Sequence, residues 1–204
     1  MGLNYRNRRQ LFSLLLALLL LLGGCASTEK PVTLTYERSV KTSGGEGEIF
    51  LAGPAEKMDA LRPTMLPGGR MILGVSRETN ADIVTRQSVF GWVADALAEE
   101  LRSAGYTVRI VSEVPRGVEK GLTLSILALS ADQLPKVVTL STVVEIKLSV
   151  ELFRKGDLLK TLTAGVRDEE EAFDRSSEPI RKALQKSLQR VMQELVPDIV
   201  TTLR

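Results

Sequence analysis

Histidine is missing from this 204-residue chain, and cysteine occurs once, at position 25. Without histidine there is no Ser-His-Asp or Cys-His catalysis, no His-ligated zinc and no imidazole to move protons near neutral pH. A single cysteine cannot close a disulfide within the chain, so the core must be held by side-chain contacts alone. Acidic residues are absent before Cys25, while Arg6, Arg8 and Arg9 lie there. Taking those three from the 27 basic side chains leaves 24 against 25 acidic ones, a net charge of −1 for the remainder. The basic character belongs to the first residues, and nothing points to a nucleic-acid surface. Carboxylate-only or Ser-Lys chemistry is open to this composition. No motif accompanies it, so a non-enzymatic protein with no metal and no cofactor is expected.

There is also only one long apolar run. It covers residues 11–22, twelve almost wholly apolar positions, and ends in Leu22-Gly23-Gly24-Cys25. A span needs about 20 apolar residues, so this run is short for one. A basic start, an apolar core and a small-residue cleavage site describe a secretory signal, with an uncleaved signal anchor as the plainer alternative. The four residues resemble a bacterial lipobox. That resemblance implies cleavage between Gly24 and Cys25, with diacylglycerol on the thiol and an acyl chain on the new amine. Ala26 and Ser27 follow, and the absence of aspartate there implies export to the outer membrane of a Gram-negative bacterium, facing the periplasm. The expected division is therefore a cleaved signal over 1–24, a lipidated tether over 25–68 and a globular domain over 69–204.

Within the tether, residues 32–36 alternate like a short strand, and residues 41–48 read as a flexible link rich in Gly, Ser and charge. Whether residues 26–68 hang free or dock on the domain is open at this level. Gly44, Gly45 and Gly47 lack the strand-to-helix context and the Gly-Lys-Ser of a phosphate loop. Residues 71–75 read as an apolar strand, and Arg77, Glu78, Thr79 and Asn80 as a polar loop. Val93, Leu97 and Leu101, with Ala96 and Ala104, give a helical stripe over 89–104 that Gly105 stops. Phe90 and Trp92 fall in that helix. Strands are expected at 106–111 and at 122–127, followed by a polar break over 131–136. The clearest strand has Val144, Ile146, Leu148, Val150 and Leu152 on one face. Glu145, Lys147, Ser149 and Glu151 occupy the other.

Arg154, Lys155, Gly156 and Asp157 make a hairpin turn, and the returning strand runs from Leu158 to about Val166. The acidic run 168–171 is expected to mark its exit, since a calcium loop would need alternating oxygen ligands. The last helix starts near Ser177, with Ile180, Leu184, Leu188, Val191, Met192 and Leu195 as its stripe. Pro197 should end or kink it. Arg181, Lys182, Lys186 and Arg190 lie opposite the stripe and read as a solvated face, with headgroups or an acidic partner as the sharper alternative.

Two amphipathic helices must bury their stripes against one apolar sheet face, which predicts an α+β two-layer sandwich. The sheet is expected to be mostly antiparallel, with about four to five strands and both helices on one face. Over residues 70–200 the chain resembles the YajG-like family of bacterial envelope lipoproteins. Leu101-Arg102-Ser103-Ala104-Gly105-Tyr106 at the helix exit and the paired long strands carry the likeness. In topology it is similar to the lipoprotein subunit of the lipopolysaccharide-export complex and to outer-membrane activators of peptidoglycan synthases. These likenesses imply an accessory protein that is anchored to the membrane and meets an envelope protein partner. The candidate partner-binding residues are Arg77, Glu78, Asn80, Glu145, Lys147 and Glu151. A carrier of lipid, glycolipid or glycan is the alternative, using space beside Ala94, Ala96, Ala98 and Ala104.

Overall fold

The computed structural model describes residues 29–53, 65–66 and 69–204. The predicted signal, the cleavage site at Gly24 and the lipidation site at Cys25 lie outside the described residues.

Among the described residues, nine strands and two helices follow in the order β1 (Glu29–Pro31), β2 (Glu48–Ala52), β3 (Met65–Leu66), β4 (Arg70–Ser76), β5 (Ala81–Thr85), α1 (Val89–Ala104), β6 (Thr107–Val111), β7 (Gly121–Pro135), β8 (Leu140–Arg154), β9 (Asp157–Ala172) and α2 (Glu178–Leu203). All nine strands join one sheet. The expectation of four to five mostly antiparallel strands is therefore corrected to a nine-stranded mixed sheet. Its pairings β1/β5, β2/β6, β2/β7 and β4/β7 are parallel. The class remains α+β.

β7 organises the sheet. One of its edges pairs with β8 along almost its whole length, and β8 pairs in turn with β9. Its other edge is shared: β2 pairs with residues 121–123, and β4 reaches Gln133. Gly74 permits this approach, because a Cβ there would lie 1.9 Å from the Ala131 carbonyl oxygen. The polar break expected over 131–136 is instead strand as far as Pro135. Cross-strand pairing overrides composition there. The acidic run likewise stays within β9, which continues to Ala172.

α1 begins where Ser88 Oγ accepts from Gly91 N at 3.0 Å and ends at Gly105, whose φ of 115° is left-handed. Its buried side chains extend almost around the axis, Glu100 among them. α2 rests on β8 and β9 and meets α1. It passes Pro197 and continues to Leu203, so the proline does not end it. Ile199, Val200 and Leu203 are buried beyond the proline. The carbonyl that the proline cannot pair belongs to Gln193, an exposed position where water can serve it.

The stretch read as a tether is where the largest revision falls. Residues 29–53 lie against the domain, so its boundary moves forward from residue 69. β1 pairs with β5, and β2 sits between β6 and β7 with Ile49 and Leu51 fully buried. Between these strands the chain runs along α1 and touches α2. Trp92 Nε1 donates to Thr35 O at 3.0 Å, Tyr36 Oη to Glu100 Oε1 at 2.6 Å, and Gly45 N to Ala104 O at 2.9 Å. Gln189 donates to Glu37 O at 2.7 Å, and Arg204 to Ser43 O at 2.6 Å. Gly44 and Gly45, expected in a loose link, serve close approach instead. A Cβ on Gly45 would meet the Tyr106 ring at 2.4 Å.

Candidate functional site

The alternation of β7, β8 and β9 divides their side chains between two surroundings. One face meets the helices, and Ile146, Leu148, Val150 and Leu152 are completely buried there. The other face is open. Across it Ser130, Glu145 and Arg167 stand opposite one another on successive strands. Glu145 Oε2 and the Arg167 guanidinium are 3.9 Å apart, and both side chains are substantially exposed.

A polar groove of about 400 Å³ runs over this row, and Arg77, Asp132, Glu145 and Arg167 line it. Asp132 is held by accepting from Val75 N at 3.0 Å. Arg77 is fixed at its backbone, where its N–H donates to Gln133 O at 2.9 Å, while its side chain is exposed. The register shift between Ile126 and Ala128 is a bulge. It leaves Leu127, which is 43% exposed, on the groove wall. The result is two guanidiniums and two carboxylates around a shallow trough whose wall also includes Leu127, Ala128, Leu129 and Val143, an arrangement suited to charged or hydrogen-bonding surfaces.

The predicted site residues are thus partly united. Arg77 and Glu145 share the groove. Lys147 is exposed on the same face beside Gly165. Glu151 lies six residues along β8 from Glu145, a separation of roughly 20 Å at strand rise. Glu78 faces elsewhere and pairs with Arg175 at 3.0 Å. Asn80 takes φ 52° in the β4–β5 turn, a conformation asparagine tolerates better than most residues. Asp132, Arg167 and Leu127 were missed. Asp132 lay in the supposed polar break, Arg167 in the supposed strand exit, and a bulge leaves no mark in hydropathy alternation.

Other charges singled out in the sequence are committed to the fold. The run 168–171 alternates across β9: Asp168 accepts from Ser187 at 3.0 Å and pairs with Arg190, and Glu170 pairs with Lys186. Glu169 bonds Ser141 Oγ and pairs with Lys136 at 3.2 Å, and Glu171 accepts from Thr139 at 3.1 Å. The Ser141 and Lys136 bonds hold the Glu169 carboxyl below its ordinary range. Arg181 and Lys182 both reach Glu178, and the Arg181 bond brings the Glu178 carboxyl down to about 2. Ala94, Ala96, Ala98 and Ala104 are 0–5% exposed and belong to the core cluster. They allow close contact with neighbouring elements.

A second groove, of about 700 Å³, lies at the far end of the sheet between Glu46, Glu48, Lys120, Arg154 and Arg204. Its charged groups are largely occupied with the backbone. Lys120 donates to Glu46 O at 2.8 Å, and Arg154 to Arg204 O at 3.0 Å.

No family model matches the chain, and no curated protein matches it either. Solved structures do. The chain is similar in fold to a Xanthomonas campestris protein of family DUF330, with a TM-score of 0.56 at 15% identity, covering 86% of this chain and 95% of that one. A neuraminyllactose-binding hemagglutinin homologue from Helicobacter pylori gives a TM-score of 0.46 at 12% identity and covers 84% and 96% of the two chains. Rare lipoprotein B from Shewanella oneidensis gives 0.39 at 12% identity and covers 63% and 92%. At these identities the likeness is one of fold, and the first of the three establishes it.

Proposed function

We propose that this chain is a lipid-anchored protein of the bacterial envelope that presents its open sheet face to a protein partner and performs no chemistry of its own. The lipobox at Leu22-Gly23-Gly24-Cys25 supports the anchor, and the absence of aspartate after Cys25 supports the outer membrane. The likeness to YajG-like lipoproteins rests on the helix exit and long strands quoted above. The observation that carries the interaction reading is the groove where Arg77, Asp132, Glu145 and Arg167 meet beside the exposed Leu127. Charged residues around a few apolar contacts, with Leu127 the most exposed of them, resemble the rim and centre of a small protein interface.

The test is photocrosslinking in cells from positions 77 and 167, with position 160 on the same strand as a reference. The expected outcome is one defined envelope protein captured from both groove positions and not from position 160. Equal capture from all three, or none from the groove, would sink the reading. Co-purification of a lipid or glycan in native mass spectrometry, lost on Arg167→Ala, would favour a carrier instead.

A further inference from the structure

The end of the sheet where the described chain begins bears apolar side chains that the fold does not use. Val137 is 100% exposed, Val138 68% and Phe173 79%. The two valines occupy the β7–β8 turn, which a bond of 3.0 Å from Lys136 N to Thr139 O closes. Phe173 follows Ala172, which pairs with Leu140 at the start of β8. All three therefore share one tip.

The sheet register places the first described residue at the same end. Glu29 stands opposite Asp82, Asp82 opposite Val75, and the next residue, Ser76, opposite Gln133. Lys30 Nζ donates to Gln133 Oε1 at 2.6 Å, and Arg175, just beyond Phe173, reaches Glu78 at 3.0 Å. Gln133 precedes Val137 by four residues, about 13 Å at strand rise. Cys25 precedes Glu29 by four residues as well, and a fully stretched chain of that length spans at most about 14 Å. A bilayer holding acyl chains on Cys25 must come within that distance of Glu29, which is the region the hairpin tip occupies.

We propose that Val137, Val138 and Phe173 form a lipid-contacting tip that enters the interface of the bilayer holding Cys25. The inference rests on the lipid-anchor reading above. Exposed apolar surface often marks an interaction site, and here the short chain to the anchor selects the bilayer as the occupant. Side chains at such a surface leave water for the boundary between headgroups and acyl chains, about 5–10 Å deep. The opposite end of the sheet supplies an internal control. Leu158 and Leu159, 55% and 44% exposed, follow the β8–β9 turn. They lie roughly 45–50 Å along β9 from Phe173, with no anchor beside them.

The experiment uses the full-length protein, extracted from membranes and reconstituted in vesicles of phosphatidylethanolamine and phosphatidylglycerol. Val137→Cys, Phe173→Cys and Leu159→Cys each carry an environment-sensitive fluorophore, with acylated Cys25 offering no competing thiol. The expected result is a blue shift at 137 and 173, and a loss of their fluorescence to nitroxide-bearing lipid, with neither at 159. Acylated protein without those changes at 137 and 173, or with equal changes at 159, overturns the tip and leaves the anchor reading standing. The mass of the amino-terminal peptide is read separately. If Cys25 carries no acyl group, the anchor reading fails and the tip falls with it.

Discussion

Residues 29–53 and residues 140–172 both supply strands to one sheet, yet they are held in opposite ways. β8 and β9 are neighbours in sequence, joined by a tight turn and paired along some fifteen positions. β1 and β2 have three and five residues, and their pairings are with strands far along the chain. The contrast teaches that a segment can be integral to a core without carrying the pattern of a strong element. β8 owes its place to its own alternation, whereas β2 owes its place to the partners that enclose it.

Equal truncations on the two sides break the comparison most directly. Leu148→Ala in β8 and Leu51→Ala in β2 each empty a fully buried position. Each is expected to lower unfolding free energy by about 2–5 kcal/mol. A cost below about 1 kcal/mol for Leu51→Ala in urea denaturation would show that the amino-terminal segment is merely laid on the surface.

The next effect in size concerns Glu100, which accepts from Tyr36 Oη and from Ser39 N at 2.7 Å. Glu100→Ala strips those donors of their acceptor and should cost about 1–3 kcal/mol. Hydrogen exchange ought to show the loss of protection concentrated at Ser39 and Val40, with β8 unaffected.

Alkaline titration sharpens the same contact. Burial first, and then the bond to Glu100, hold the Tyr36 hydroxyl well above its ordinary 10.0. The folded state binds that proton more tightly than the unfolded chain, so this contribution is complete below pH 10 and declines as pH rises beyond it. Tyr36→Phe should flatten that decline, and an unchanged alkaline limb in thermal melts would refute the assignment.

On the acid side the effect is smaller. The Glu178 carboxyl, lowered to about 2 by Arg181, contributes above its ordinary 4.5 and loses that contribution as pH falls from 4.5 toward 2. Because the pair lies at the surface, Glu178→Gln should alter acid melts only slightly. Smallest of all, Glu145→Ala on the open face is expected to change stability by no more than about 0.5 kcal/mol. Impaired partner capture with an unchanged melting temperature would separate the groove from the core.

These contrasts also explain what could be read in advance. α1 was legible from its apolar stripe and from Gly105, a local stop signal, whereas the Ser88 cap emerges from the structure. β8 and its turn to β9 were legible through period-two alternation and Gly156, whose φ is 92°. The extra strands were not, because β2 and β5 are five residues long and draw their stability from neighbours elsewhere in the chain. Pro197 does not end α2 because the apolar positions after it outweigh one missing backbone bond. Of the site, Arg77 and Glu145 were visible as charges on a loop and on a wet face. Their meeting in a single groove depends on β4 closing onto β7 at Gly74, an approach that only the folded register reveals.

The docking of residues 29–53 also sets an order of events in synthesis. Thr35 bonds Gln185 across 150 positions, and Arg204 bonds Ser43 across 161. Such distant contacts must wait until both partners exist, and closing long loops slows folding. The segment is made before the strands and the helix that hold it, and it is secured only after them. β2 waits for β6 and β7, and the stretch between β1 and β2 waits for the final helix. Until α2 exists, the contacts of Thr35 and Ser43 have no partners to close on.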